Sequence, residues 1–120
     1  MSEPMPSLPR IAPEASNEWQ EHPRFRGIYV KKLLTPADNA LANVNAVRVP
    51  PGCTIGRHQH PTQVETIYIL AGQSTLTLGE VEVSFYAGHI VAVPMGMEHS
   101  LHNPGTETVE LLTIFTPPLT

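Results

Sequence analysis

From Ile28 onward the chain is cut into short β-forming runs: IYVKKLL, ANVNAVRV, VETIYIL, STLTL, VEVSF, IVAVP and VELLTIF. Between them stand Pro50-Pro51-Gly52, Ala71-Gly72, Gly79, Ala87-Gly88 and Asn103-Pro104-Gly105. Branched and aromatic side chains fit a pleated, half-buried surface, whereas proline and glycine supply the backbone angles of tight turns. Punctuation this frequent leaves no room for long helices. Many short strands at such spacing predict an all-β sandwich or barrel. Only TPADNALANV has a helical look, and it is short.

Residues 1–24 read differently. Pro4, Pro6, Pro9 and Pro13 interrupt them, and proline can neither donate to a ladder nor continue a helix. An irregular arm is expected over 1–24, partly ordered by Trp19 and Phe25 if apolar cover is at hand. A single barrel domain is expected over 25–120, since 120 residues bury one core but not two. The formal net charge is −4 with scattered basic residues, which is no electrostatic footprint for nucleic acid. No stretch approaches the ~20 apolar residues that span a bilayer. The opening MSEPMPSLPR lacks the apolar core of a secretory signal, and a lone cysteine, Cys53, fits a reducing compartment. A cytoplasmic protein with no nucleic-acid or membrane partner is therefore expected.

Against this background RHQHPTQVETIY, Arg57 to Tyr68, stands out, because only 15% of the chain is charged. Side chains alternate along a strand, so His58 and His60 share a face and can converge on one cation. After the turn at Pro61-Thr62, Glu65 is expected to meet them across a hairpin, adding the negative charge a divalent ion needs in an apolar setting. A bare H-x-H with a glutamate also arises by chance on a wet strand, so these residues alone leave both readings open.

The spacing extends further. Gly52 is followed by five residues, His58, one residue, His60, four residues, Glu65, six residues and Gly72. A second stretch runs Gly88, five residues, Pro94, Met95, Gly96, two residues, His99, three residues and Asn103. Together, with fifteen residues between them, these resemble the two motifs of the cupin superfamily over about residues 40–116. The resemblance implies a small jelly-roll β-barrel holding a metal in its mouth, with His58, His60, Glu65 and His99 as ligands. It also places Gly52, Gly72, Gly88 and Gly96 at tight turns, Pro94 at a strand end and Asn103 as a turn-fixing side chain.

Three imidazoles and a carboxylate without a thiolate suit Fe, Mn, Ni, Cu or Zn rather than Ca, with Fe or Mn expected and one ion per subunit. A six-coordinate ion would keep open positions, as catalytic sites do. Cys53 lies five residues from His58 and in an unbroken strand would face the other way, as a buried structural thiol rather than a ligand. His89 and His102 are expected at the surface or behind the site, His22 in the arm, and Arg57 in solvent. Met95 and Met97 flank the cavity turn. The substrate-lining set is expected to be Asn45, Ile67, Met97, Thr113 and Phe115, an apolar interior without an obvious arginine clamp. Metal-dependent oxidation of a small organic substrate, of dioxygenase type, is the leading expectation, with Glu65 catalytic. The alternatives are a non-redox isomerase, lyase or decarboxylase, and a binding module without turnover. IYIL and LLTIF carry apolar residues on both faces, so a homodimer is expected.

Overall fold

The computed structural model describes residue 11 and residues 18–119. Ten strands succeed one another: β1 (Trp19–Glu21), β2 (Tyr29–Leu34), β3 (Asn43–Val49), β4 (Thr54–His58), β5 (Val64–Ala71), β6 (Gln73–Leu78), β7 (Val81–Tyr86), β8 (Ile90–Val93), β9 (His99–His102) and β10 (Val109–Thr116). They form an antiparallel six-stranded sheet, β1-β2-β3-β10-β5-β8, facing a four-stranded sheet, β4-β9-β6-β7. This is the all-β architecture that the strand and turn spacing predicts. Every run singled out in the sequence becomes a strand. TPADNALANV is not helical; Thr35 instead starts a turn in which its backbone N–H meets the Asp38 carboxylate at 3.0 Å. Short polar side chains that bond nearby backbone compete with a helix in this way.

The core lies between the sheets. Ile28, Val49, Ile69, Leu76, Val109 and Leu111 are each at most 1% exposed. A fully buried side chain of this size contributes about 1.5–3 kcal/mol before entropy is counted. β10 is central, pairing with β3 on one side and β5 on the other. Its inward residues Leu111, Thr113 and Phe115 are buried while Leu112 and Ile114 are half-buried. At Gly72 the φ of 92° and the 3.0 Å approach of Thr108 and Val109 backbone to a built Cβ exclude a side chain. Glycine is required there on both grounds.

Two local expectations change. Trp19–Glu21, read as part of an irregular arm, forms β1 against Tyr29–Lys31 of β2. Three residues carry too little pattern to announce a strand, and a long-range partner supplies what propensity does not. The remaining arm residues, 1–10 and 12–17, lie outside those described. Cys53 does not turn away from the interior but packs, half-buried, against the core. The cause is a register shift between Ile55 and His58 on β4, so parity counted from His58 fails beyond it.

Candidate metal centre

At one end of the sandwich, His58, His60, Glu65 and His99 bring their ligand atoms within 4.8 Å of one another. Glu65 does not reach the histidines through a hairpin ladder. β4 and β5 belong to opposite sheets, and the carboxylate meets the imidazoles across the interior. His58 pairs with His99 in the four-stranded sheet. Glu65 lies in the six-stranded sheet between Val93 and Phe115. The site is a clasp between layers, and the bulge in β4 turns both Ile55 and His58 inward.

Backbone carbonyls set the imidazole orientations. The Nδ1–H of His58 donates to the Gly56 carbonyl at 2.7 Å, and that of His99 to the Met97 carbonyl at 2.9 Å. A carbonyl can only accept, so Nδ1 carries the proton on both rings and Nε2 is turned to the cluster, where on His99 it donates to the Glu65 carboxylate and would give up that proton to bind a metal. His99 Nε2 lies 2.8 Å from Glu65 Oε1, and His60 Nε2 lies 3.4 Å from the same oxygen. His60 Nε2 is buried without a hydrogen-bond partner. Phe115 meets the His60 ring edge-on, with centroids 5.0 Å apart.

Protonation follows from these contacts. Burial alone would push the Glu65 carboxyl up, but the nearness of the His60 nitrogen and the His99 hydrogen bond outweigh it and hold it at about 2. Burial disfavours charge on His99 as well, yet the Glu65 and Met97 contacts raise it above the ordinary histidine value. His58 is lowered, mainly by burial. The cluster therefore pairs a firmly ionised carboxylate with imidazoles of opposite tendencies.

The donor set fits a divalent transition metal. Three imidazole nitrogens and one carboxylate oxygen from separate chain segments converge, and the orphaned His60 Nε2 is the atom such an ion would satisfy. The comparison with known families agrees. The Cupin domain model matches residues 45–115.

The chain belongs to the cupin family.

Among relatives of this cupin, the oxalate-binding protein of Thermotoga maritima is 31% identical over 68 residues, 57% of this chain and 56% of that protein. A mannose-1-phosphate guanylyltransferase of Klebsiella pneumoniae is 31% identical over 100 residues, 82% of this chain but 21% of that protein. The chain thus spans a minor part of one relative and little over half of the other. A crystal structure described as a predicted oxalate decarboxylase from Thermotoga maritima matches with a TM-score of 0.75 at 25% identity, covering 92% of this chain and 98% of that one.

Beside the cluster this cupin has a cavity of about 360 Å³. Asn45, Thr113 and Phe115 line it, as does Glu65. Ile67 and Met97, expected there too, do not. Ile67 is 4% exposed in the core one step further along β5, while Met97 sits in the exposed turn before His99. His22, Arg24 and Phe25, which sequence reasoning left in or beside the arm, line the cavity instead. No local signal marked them, because the pairing of β1 with β2 brings their loop over the opening. His102 bonds Thr54 at 2.6 Å, His89 stacks on Tyr86 with centroids 3.8 Å apart, and Arg57 pairs with Glu98 and Glu80. None of those three lines the cavity.

Proposed function

We propose that this cupin binds one divalent transition metal, Fe or Mn, through His58, His60, Glu65 and His99 and oxidises a small organic substrate beside it. The observation that carries the reading is the buried, partnerless His60 Nε2 facing an ionised carboxylate at the edge of an apolar cavity. A buried polar atom without a partner is costly, and its persistence points to a ligand. When bound, such a metal supplies redox chemistry and polarises a substrate oxygen.

The chain's own residues prepare that chemistry. The Gly56 and Met97 carbonyls fix two imidazoles before any ligand arrives. Preset orientation removes reorganisation from the reaction itself. Val47, Ile55 and Phe115 keep water from the cavity wall. Glu65 is the sole carboxylate among the lining residues, and we assign to it both charge compensation and proton transfer. Small carbonyl- or carboxylate-bearing compounds suit the space, which lies near the lower end of ligand-pocket volumes.

A second reading, non-redox decarboxylation or another lyase step, is favoured by the likeness to the Thermotoga structure described as a predicted oxalate decarboxylase. Oxygen uptake separates the two. With the native metal restored, a panel of small carboxylic acids and ketones is expected to drive oxygen consumption. Carbon dioxide release without oxygen uptake selects the second reading. Glu65→Gln is expected to retain partial metal binding and lose most turnover, because the shape survives and the charge does not. Full turnover in that variant contradicts the assigned role.

A further inference from the structure

We propose that Arg24 is the specificity-determining group of the cavity, anchoring the carboxylate of a small, largely hydrophobic monocarboxylic acid whose far end approaches the histidine–glutamate cluster. The proposal deepens the functional reading above and rests on it for what happens at that far end. The cavity has charge in only two regions: the cluster, and the loop bearing Arg24 and His22. The wall between is formed by side chains such as Val30, Val47, Phe115 and Leu119, with Asn45 and Thr113 as its polar points. A sugar would need more polar partners than these two.

Arg24 is held in place without being used up. Its loop is tied at both ends: the His22 N–H donates to the Ile28 carbonyl at 2.7 Å, and the Gly27 N–H to the Glu21 carboxylate at 2.9 Å. Inside the loop, His22 Nδ1 accepts from the backbone N–H of Arg24 at 3.0 Å and of Phe25 at 3.3 Å. The guanidinium lies over the Phe25 ring, 5.4 Å from its centroid, and that ring sits 5.3 Å from the ring of His58. Gly56 leaves the room, since a Cβ there would come within 3.2 Å of Phe25. Arg24 makes no ion pair with any described residue, whereas Arg48 pairs with Glu110 and Arg57 with Glu98 and Glu80. The side chain of Asn45 likewise lines the cavity and makes no hydrogen bond to a described residue. An uncommitted guanidinium on a braced loop, facing an apolar cavity, presents the planar fork that takes a carboxylate through two bonds.

The test is calorimetric titration of 3-phenylpropanoate and of its neutral analogue 3-phenylpropanamide, into metal-stripped and Mn(II)-loaded protein. Wild type is expected to bind the acid about tenfold tighter than the amide in both forms. Arg24→Gln is expected to bring the acid to the amide's affinity with metal content and melting temperature unchanged, and Arg24→Lys to restore part of the preference. Arg57→Gln, outside the cavity, is expected to leave it intact. Equal binding of acid and amide by wild type, no measurable binding of either, or an acid preference that survives Arg24→Gln overturns the proposal. An acid preference that vanishes with the metal while ignoring Arg24 also overturns it, and leaves the metal centre standing. An Arg24-dependent preference in a protein that takes up no metal supports the anchor and refutes the metal reading.

Discussion

Two polar side chains with buried nitrogens, one at each end of the sandwich, are treated in opposite ways. Asn103 follows β9 at the end remote from His99 and is wholly buried. Its amide donates to the carbonyls of Val49 at 2.9 Å and Glu107 at 2.7 Å, and its oxygen accepts from the Gly105 N–H at 2.9 Å. Each partner is backbone, and both amide N–H groups are used. His60, at the other end, is half-buried, with its buried Nε2 unmatched. A fold can therefore carry the same class of residue as a fastener or as a receptor, and the hydrogen-bond account distinguishes them. A satisfied group fastens the Asn103 end, and an unsatisfied one marks the cluster end.

The largest expected effect is at the open end. His99→Ala is expected to weaken metal binding by about a hundredfold or more, because it removes a ligand and leaves Glu65 buried without its 2.8 Å partner. Dialysis against graded metal concentrations measures this. His22→Ala, in the same cavity but outside the cluster, is expected to leave metal affinity intact. Asn103→Ala reverses the pattern. Three backbone groups lose their partner, so unfolding free energy is expected to fall by about 2–4 kcal/mol while metal content per folded chain stays the same. Loss of metal binding in that variant would break the comparison.

Acidity sharpens it further. In metal-free protein the lowered Glu65 carboxyl contributes stability that is present above its ordinary 4.5 and is lost as pH falls toward about 2. The raised His99 contributes stability that is present below its ordinary 6.5 and is lost as pH rises through the raised value. Their pairing is therefore worth most between roughly pH 4.5 and 6.5. His58, lowered by burial, works against stability as pH falls below 6.5, in wild type and in Glu65→Gln alike. The deficit of metal-free Glu65→Gln relative to wild type is thus expected to peak inside that window in denaturant titrations. The deficit of Asn103→Ala is expected to stay flat with pH, since neutral hydrogen bonds do not titrate. A flat profile for Glu65→Gln contradicts the ion-pair account.

The smallest effect concerns assembly. β7 is a sheet edge and exposes Val81 and Val83, and Leu70 and Ile90 on β5 and β8 are also exposed. Apolar residues at edges of this kind favour pairing with another chain, so a dimer mass is expected from light scattering at micromolar concentration. A monomer mass contradicts it. Charging one exposed position, Val83→Lys, is expected to weaken the dimer without touching metal content.

Strands were legible because turn residues bounded them, and the cluster because two spaced motifs carried it. His58, His60, Glu65 and His99 are named as ligands by the resemblance to the cupin motifs, since two histidines and a glutamate alone also arise by chance on a wet strand. What escaped depended on pairing between distant segments. β1 is three residues long, and its partner, not its composition, makes it a strand. Arg24 and Phe25 reach the cavity only because that pairing folds their loop over it. Cys53 was misplaced by a bulge that alternation cannot foresee. Ile67 and Glu65 share a face of β5, yet one residue pair further along that strand is already inside the core.

The central claim is that four side chains, and no others, hold one metal ion. Elemental analysis after equilibration with Mn(II) or Fe(II) and gel filtration tests it most directly, on wild type beside His99→Ala, with circular dichroism to verify that both are folded. The expected result is close to one ion per wild-type chain and almost none in folded His99→Ala. Stoichiometric metal in the variant, or none in the wild type, contradicts the account.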